Sequence, residues 1–296
     1  MRTLDSPLPL SAAGPGTAWF RLKLHSSLAN KVEDIDANIE SALTRDYIPF
    51  NKLIDEASGA VAVVGSGPSL KRNWRQLLDF KGDIVACNAA FQFLLAKGIT
   101  PKYMLCFDAD PLALEFITPR EGVTYLIGSR CPPQVFDMLE GCRVVCWHAG
   151  GDEHIQELLE KAKRMEPMVI GGSAAVTRAM VLVAPMGYRE IHLYGADSSH
   201  ADGDTHIRKS TTEEGRMALM VAGRAFETSP WMAVQAEDFK TLMPIMTRLG
   251  LRVIVHGDGL IPHLAMQLGC ETDLETSAQK FRREWRFKLN NVWNSL

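Results

Sequence analysis

Gly65-Ser66-Gly67-Pro68-Ser69-Leu70 follows the apolar run Ala60–Val64 and opens a helical pattern at Leu70. A strand that empties through a glycine turn into a helix directs unpaired backbone N–H groups at one small volume, where the helix dipole also favours negative charge. That volume suits a phosphate. Gly65 and Gly67 let the backbone approach an anion with no Cβ in the way, Pro68 stiffens the turn, and Ser66 and Ser69 bring hydroxyls. The turn is not G-x-x-x-x-G-K-[ST], and Leu70 stands where G-x-G-x-x-G would have its third glycine. A strand-to-helix turn without a ligand is the alternative.

Other polar residues fall at the carboxyl ends of apolar runs, where an open parallel sheet places its ligands. Asn88 follows Ile84–Cys87, with an amide that both donates and accepts; it serves a base, ribose or phosphate, or caps a helix at Ala89. Asp108-Ala109-Asp110-Pro111 follows the next run. Asp108 and Asp110 can share Mg²⁺ or Mn²⁺, a hard cation that takes one or two carboxylates plus donor phosphates, although Asp110 before Pro111 also reads as an N-cap. Gly171, Gly172 and Ser173 form a second glycine turn, either another anion or base pocket or a point of close packing. Beyond Ile191–Tyr194, Asp197, His200 and His206 are candidate general bases on a segment with the character of a mobile flap. There is no G-x-S-x-G, and no cysteine stands beside a histidine in an electropositive turn, which argues against nucleophilic catalysis.

The elements that would position these groups alternate. Apolar β-rich runs at 61–64, 84–87, 103–107, 123–127, 144–147, 168–170, 191–194 and 253–255 are separated by amphipathic helical segments, which predicts an α/β fold with a Rossmann-like, mostly parallel sheet and helices on both faces. Leu28 to Ala57 has helical spacing, and residues 1–20, rich in proline and glycine, read as a flexible leader. Residues 217–228 fit either a hairpin through Ala222-Gly223 or the continuation of a helix. The expected organisation is a leader and accessory helix over 1–57, a Rossmann-like ligand-binding domain over 58–270, and a basic amphipathic helix over 271–296. In that last segment Phe281, Trp285, Leu289 and Trp293 recur every four residues among Lys280, Arg282, Arg283, Arg286 and Lys288, a stripe suited to pairing copies into a homo-oligomer.

A net charge of −3 over 296 residues gives no global case for nucleic acid. None of the six cysteines forms a C-x-x-C pair, and no apolar stretch reaches the ~18 residues of a membrane helix. With no signal-peptide pattern, the expectation is a soluble cytoplasmic protein.

Taken in order, the GSGPSL turn, Cys87-Asn88, Gly98-Ile99-Thr100-Pro101 with Tyr103 and Asp108, Gly171-Gly172-Ser173-Ala174, and Gly195-Ala196-Asp197 resemble the 6-hydroxymethylpterin diphosphokinase MptE-like family. The likeness covers residues 58–260 and extends to motility accessory factor proteins and, more distantly, to bacterial sialyltransferases. It implies a Rossmann-like transferase that holds a nucleotide through Gly65, Gly67, Pro68, Ser69 and Asn88. For the pterin enzymes this means metal-assisted diphosphoryl transfer from ATP to a pterin-like hydroxymethyl acceptor, the leading expectation. For the glycosyltransferases it means a CMP- or UDP-linked sugar and a small-molecule or glycan acceptor. A non-catalytic nucleotide-binding or assembly protein is the third possibility. Where sialyltransferases place a catalytic histidine this chain reads Ser229-Pro230-Trp231-Met232, with none, so sialyl transfer would require His200 or His206 in that role.

Overall fold

A computed structural model describes residues 32–150, 153–201 and 216–273. In chain order the elements are α1 (Val32–Leu43), β1 (Ile48–Pro49), β2 (Ala60–Val64), α2 (Leu70–Asn73), β3 (Asp83–Cys87), α3 (Ala89–Ala96), β4 (Tyr103–Cys106), β5 (Thr124–Gly128), α4 (Pro133–Met138), β6 (Arg143–Ala149), α5 (Glu153–Lys161), β7 (Met168–Val169), α6 (Ala175–Val183), β8 (Glu190–Tyr194), β9 (Met217–Val221), β10 (Arg224–Thr228), α7 (Pro230–Arg248), β11 (Arg252–Val255), α8 (Leu260–Gln267) and β12 (Glu271–Thr272). The main sheet runs β1-β6-β5-β4-β3-β2-β8-β11-β12, with β7 also on β6, and every ladder in it is parallel.

Both faces of the sheet are buried, because alternate residues of each strand enter different cores. Val61, Val63, Leu105 and Leu193 pack with Met180 of α6, Phe239 of α7 and Ile261 of α8. Ala62, Val64, Met104 and Tyr194 pack on the other side with Leu70, Phe91 of α3 and Phe136 of α4. The α/β layering expected from the sequence is therefore present, and all eight expected strands form. The segment left between two forms is a hairpin: β9 and β10 pair antiparallel across Ala222 and Gly223, both at positive φ (45° and 80°), as a two-residue hairpin turn requires.

Three expectations change. The helix expected over 28–57 ends at Leu43 in the described part, and it does not resume through 57, because Pro49 disfavours helical geometry at Ile48 and Ile48–Pro49 pairs with β6 instead. Phe50 and Leu53 are core residues, so the segment before residue 58 is built into the domain. At the other end, Glu271–Thr272 is a strand on β11 and not the start of a helix. The basic stripe beyond it and the leader lie outside the described residues.

Candidate functional site

The chain adds strands outward from β2 through β3, β4, β5 and β6, then returns to the other side of β2 with β8 and β11. Where the order reverses, the connections leave β2 and β8 in opposite directions, so a crevice opens at their carboxyl ends. A cavity of about 490 Å³ lies there. It gathers Gly65, Ser66, Gly67, Asn88, Asp108, Ser173 and Asp197 from the residues expected by sequence, and adds Arg130, Arg178, Trp231 and Gln235. Pro68, Ser69, Asp110, Gly171, Gly172 and His200 do not line it. His206 lies outside the described residues.

The first glycine turn is closed upon the protein. Gly65 N donates to Tyr194 O at 2.8 Å, Gly67 N to Gly195 O at 2.8 Å, and Ser69 N to the Asp197 carboxylate (Oδ2) at 2.8 Å. Leu70, Lys71 and Arg72 donate to Gly67, Pro68 and Ser69 within the turn. The glycines are required by contact: a Cβ on Gly65 would stand 2.5 Å from Val176 Cγ2 and 2.6 Å from Gly195 O. The turn thus locks β2 to β8, and of the amides expected to hold an anion most are already bonded. Ser69 is helical in conformation and makes no side-chain cap. Asp197, 3% exposed, braces this turn, and burial raises its carboxyl above the usual range.

Across the crevice the second turn differs. Gly171 and Gly172, both at positive φ, aim the chain into α6, whose N-cap Ala174 has no capping side chain. Ser173 N donates to Asp238 Oδ2 at 2.6 Å, and Ala174 N to Thr177 Oγ1 at 3.1 Å. The first intrahelical bond is Arg178 N to Ala174 O, so the N–H groups of Ala175, Val176 and Thr177 precede it beside the cavity. Arg178 is only 8% exposed, and its Nη1 donates to Val169 O at 2.6 Å. Burial, with Arg130 close by, pulls its guanidinium down to about 10, which leaves it charged at neutral pH. Arg130, following β5, is likewise lowered by burial. Both guanidinia lie over Phe107, at 5.7 Å for Arg130 and 5.6 Å for Arg178, and Phe107 in turn packs on Trp147. Neither Nε has a partner among the described residues. Aromatic faces compensate such cations by only ~0.5–2 kcal/mol, and an unpaired buried donor costs ~1–3 kcal/mol, so the pair calls for an anion.

Asn88 answers the question left open by its sequence. It makes no cap bond to α3, its backbone sits at φ 48° and ψ −125°, and its Oδ1 is buried at the cavity without a partner among the described residues. Strained backbone of this kind persists where the surroundings enforce it, typically at functional sites. Asp108 and Asp110 diverge. Asp108 lines the cavity, half-buried, and burial raises its carboxyl. Asp110 is exposed and caps the 3-10 turn Pro111–Phe116, accepting from Leu112 N at 2.8 Å. The two carboxylates expected to share Mg²⁺ or Mn²⁺ therefore do not both line the cavity, and of the two that do, Asp197 is engaged by Ser69 N and Asp108 stands near Arg130, a donor set that does not fit a cation held by the protein. His200 stands beside the hairpin, its N–H donating to Glu227 O at 2.7 Å, and burial lowers its imidazole so that the neutral form is favoured.

Two signals for the missed residues were in the sequence. Arg130 follows a strand as Asn88 and Asp108 do, and Arg178 is the lone charge in the apolar run Ala174–Val183. A charge so placed is buried and needs a counterpart.

Residues 34–203 match the 6-hydroxymethylpterin diphosphokinase MptE-like family. The chain belongs to this MptE-like family. Membership makes it a transferase by class. Among solved structures, the MAf glycosyltransferase from Magnetospirillum magneticum AMB-1 is similar, with a TM-score of 0.58 and 18% identity over 83% of this chain and 39% of that one. The chain spans about two fifths of that relative's length, and the likeness is one of fold. The sialyltransferase CST-II, solved with a trisaccharide acceptor and CMP, matches at a TM-score of 0.35 and 13% identity over 74% of this chain and 88% of that one. No curated protein matches the chain. The MptE-like match begins within α1, ahead of the expected domain start at 58.

Proposed function

We propose that this MptE-like protein is a nucleotide-dependent transferase that moves a glycosyl group from a nucleotide-linked sugar to an acceptor hydroxyl. The observation that carries this is the pair of half-buried Arg130 and buried Arg178, which line the cavity beside the first turn of α6 with buried Nε atoms that have no partner among the described residues. Arginine forks and free helix N–H groups together complement phosphate. A negative charge that grows as the nucleoside phosphate departs is stabilised there without reorganisation. The acceptor oxygen bonds to the sugar carbon, the carbon–oxygen bond to the phosphate breaks with its electron pair leaving on the phosphate oxygen, and the hydroxyl proton passes to Asp108. A half-buried carboxyl with a raised pKa suits that proton transfer. Asn88 offers its amide to the donor, and Trp231, half exposed on the first turn of α7, offers a ring face to a base.

Diphosphoryl transfer from ATP to a pterin-like alcohol is the second reading, favoured by the description of the matched family. A thermal-shift panel of ATP, CMP, UDP and GDP, each with and without Mg²⁺, separates the two. CMP or UDP should stabilise the protein equally in EDTA. Stabilisation by ATP alone, and only with Mg²⁺, would turn the assignment to diphosphoryl transfer, and no shift with any nucleotide would end both.

A further inference from the structure

Helix α1 lies outside the cavity, yet one of its side chains reaches both loops that arm it. The half-buried amide of Asn38 donates from Nδ2 to Arg130 O at 3.0 Å and to Ala109 O at 3.4 Å. Arg130 is the loop after β5, and Ala109 directly follows Asp108 in the loop after β4. We infer that Asn38 is a positioning residue for anion binding: it sets the separation of the Asp108 and Arg130 loops and so aims the Arg130 guanidinium. This rests on the proposed phosphate site.

The chemistry admits few substitutes. Two carbonyls converge on one NH₂ group, which has two hydrogens to give. A carboxylate of the same shape would face both carbonyls with lone pairs. The packing seats α1 against the Asp108 loop. Ile35, Ile39 and Leu43 form a small core with Ala109, Leu158 and Leu159, so the helix presses on the Asp108 loop directly. Its seat does not depend on Asn38. Arg164 Nη2 holds Leu43 O at 3.2 Å and Arg45 O at 3.1 Å, and His154 Nε2 lies 2.9 Å from Asp36. Loss of the amide should then free the loops without releasing the helix.

The test is calorimetric titration of the full chain with inorganic pyrophosphate. Asn38→Asp should weaken affinity about tenfold, and Asn38→Ser, whose short hydroxyl can serve one carbonyl at most, by an intermediate factor, which covers the case in which the aspartate variant folds poorly. The decisive readout is coupling. In an Arg130→Ala background Asn38→Asp should add little, because the residue acts through Arg130, whereas with Arg178→Lys its effect should be retained. Undiminished pyrophosphate binding by both Asn38 variants, or full additivity with Arg130→Ala, overturns the inference. If the native chain itself takes up no pyrophosphate, the phosphate site fails first and this inference with it.

Discussion

The two glycine turns of this protein share a sequence signature and do opposite things. The turn after β2 is sealed by β8: its amides go to Tyr194, Gly195 and Asp197, and the helix it opens is four residues long. The turn after β7 opens a nine-residue helix with three N–H groups ahead of its first internal bond, and Arg178 one turn in. A glycine turn between strand and helix therefore says that backbone comes close to something. Whether that is an anion or another strand depends on which carbonyls the topology brings opposite, and here the adjacent β8 turn fills the first site.

The contrast is sharpest at Arg178. Replacing it with alanine should lower nucleotide affinity by ~30-fold or more, in the ~2–5 kcal/mol range for removing a buried charged partner, and Arg178→Lys should recover only part, since a lysine lacks the fork. Undiminished affinity in the alanine variant would move the anion back to the first turn. Gly65→Ala tests that turn from the other side. Its Cβ would press on Val176 and Gly195, so the expected result is a loss of ~1–3 kcal/mol in chemical denaturation. A variant of native stability would mean that the turn is loose enough to receive a ligand.

Most of the layered fold was legible, because a two-sided sheet writes continuous apolar runs such as Ala60–Val64 and Ile191–Tyr194 between helical spacings. The site was legible as a set of strand-end positions, and Asn88 and Asp108 do meet there. What escaped was direction. Asp108 and Asp110 are two residues apart, yet one faces the cavity and the other caps a 3-10 turn, a choice made by Pro111 and by Ala109 packing under α1. The commitment of the Gly65–Ser69 amides depends on a partner more than 120 residues away, which no local pattern contains.

Asp197 gives a smaller effect with a definite sign. Burial raises its folded pKa above 3.8, so the folded state holds this proton to higher pH than the unfolded chain. The contribution is fully present below the unfolded value and is lost as pH rises through the raised folded value. Asp197→Asn keeps an oxygen for Ser69 N and cannot ionise. Its melting temperature should gain on the native protein as pH rises above the usual carboxylate range, and parallel profiles would show that the carboxylate is not acting as a buried brace.

The finest distinction concerns Asn88, where fold and function pull against each other. At φ 48° and ψ −125° glycine rests without penalty, and a side-chain-bearing residue costs ~1–3 kcal/mol. Part of that relief is offset by the greater freedom of glycine in the unfolded chain. Asn88→Gly should therefore raise stability by up to ~1 kcal/mol while weakening nucleotide affinity. The first turn is glycine-built wherever packing alone decides, and Asn88 departs from that pattern at a position that favours glycine more strongly. If the glycine variant binds nucleotide as the native protein does, Asn88 has no claim on the donor, and the site contracts to the arginine pair and α6.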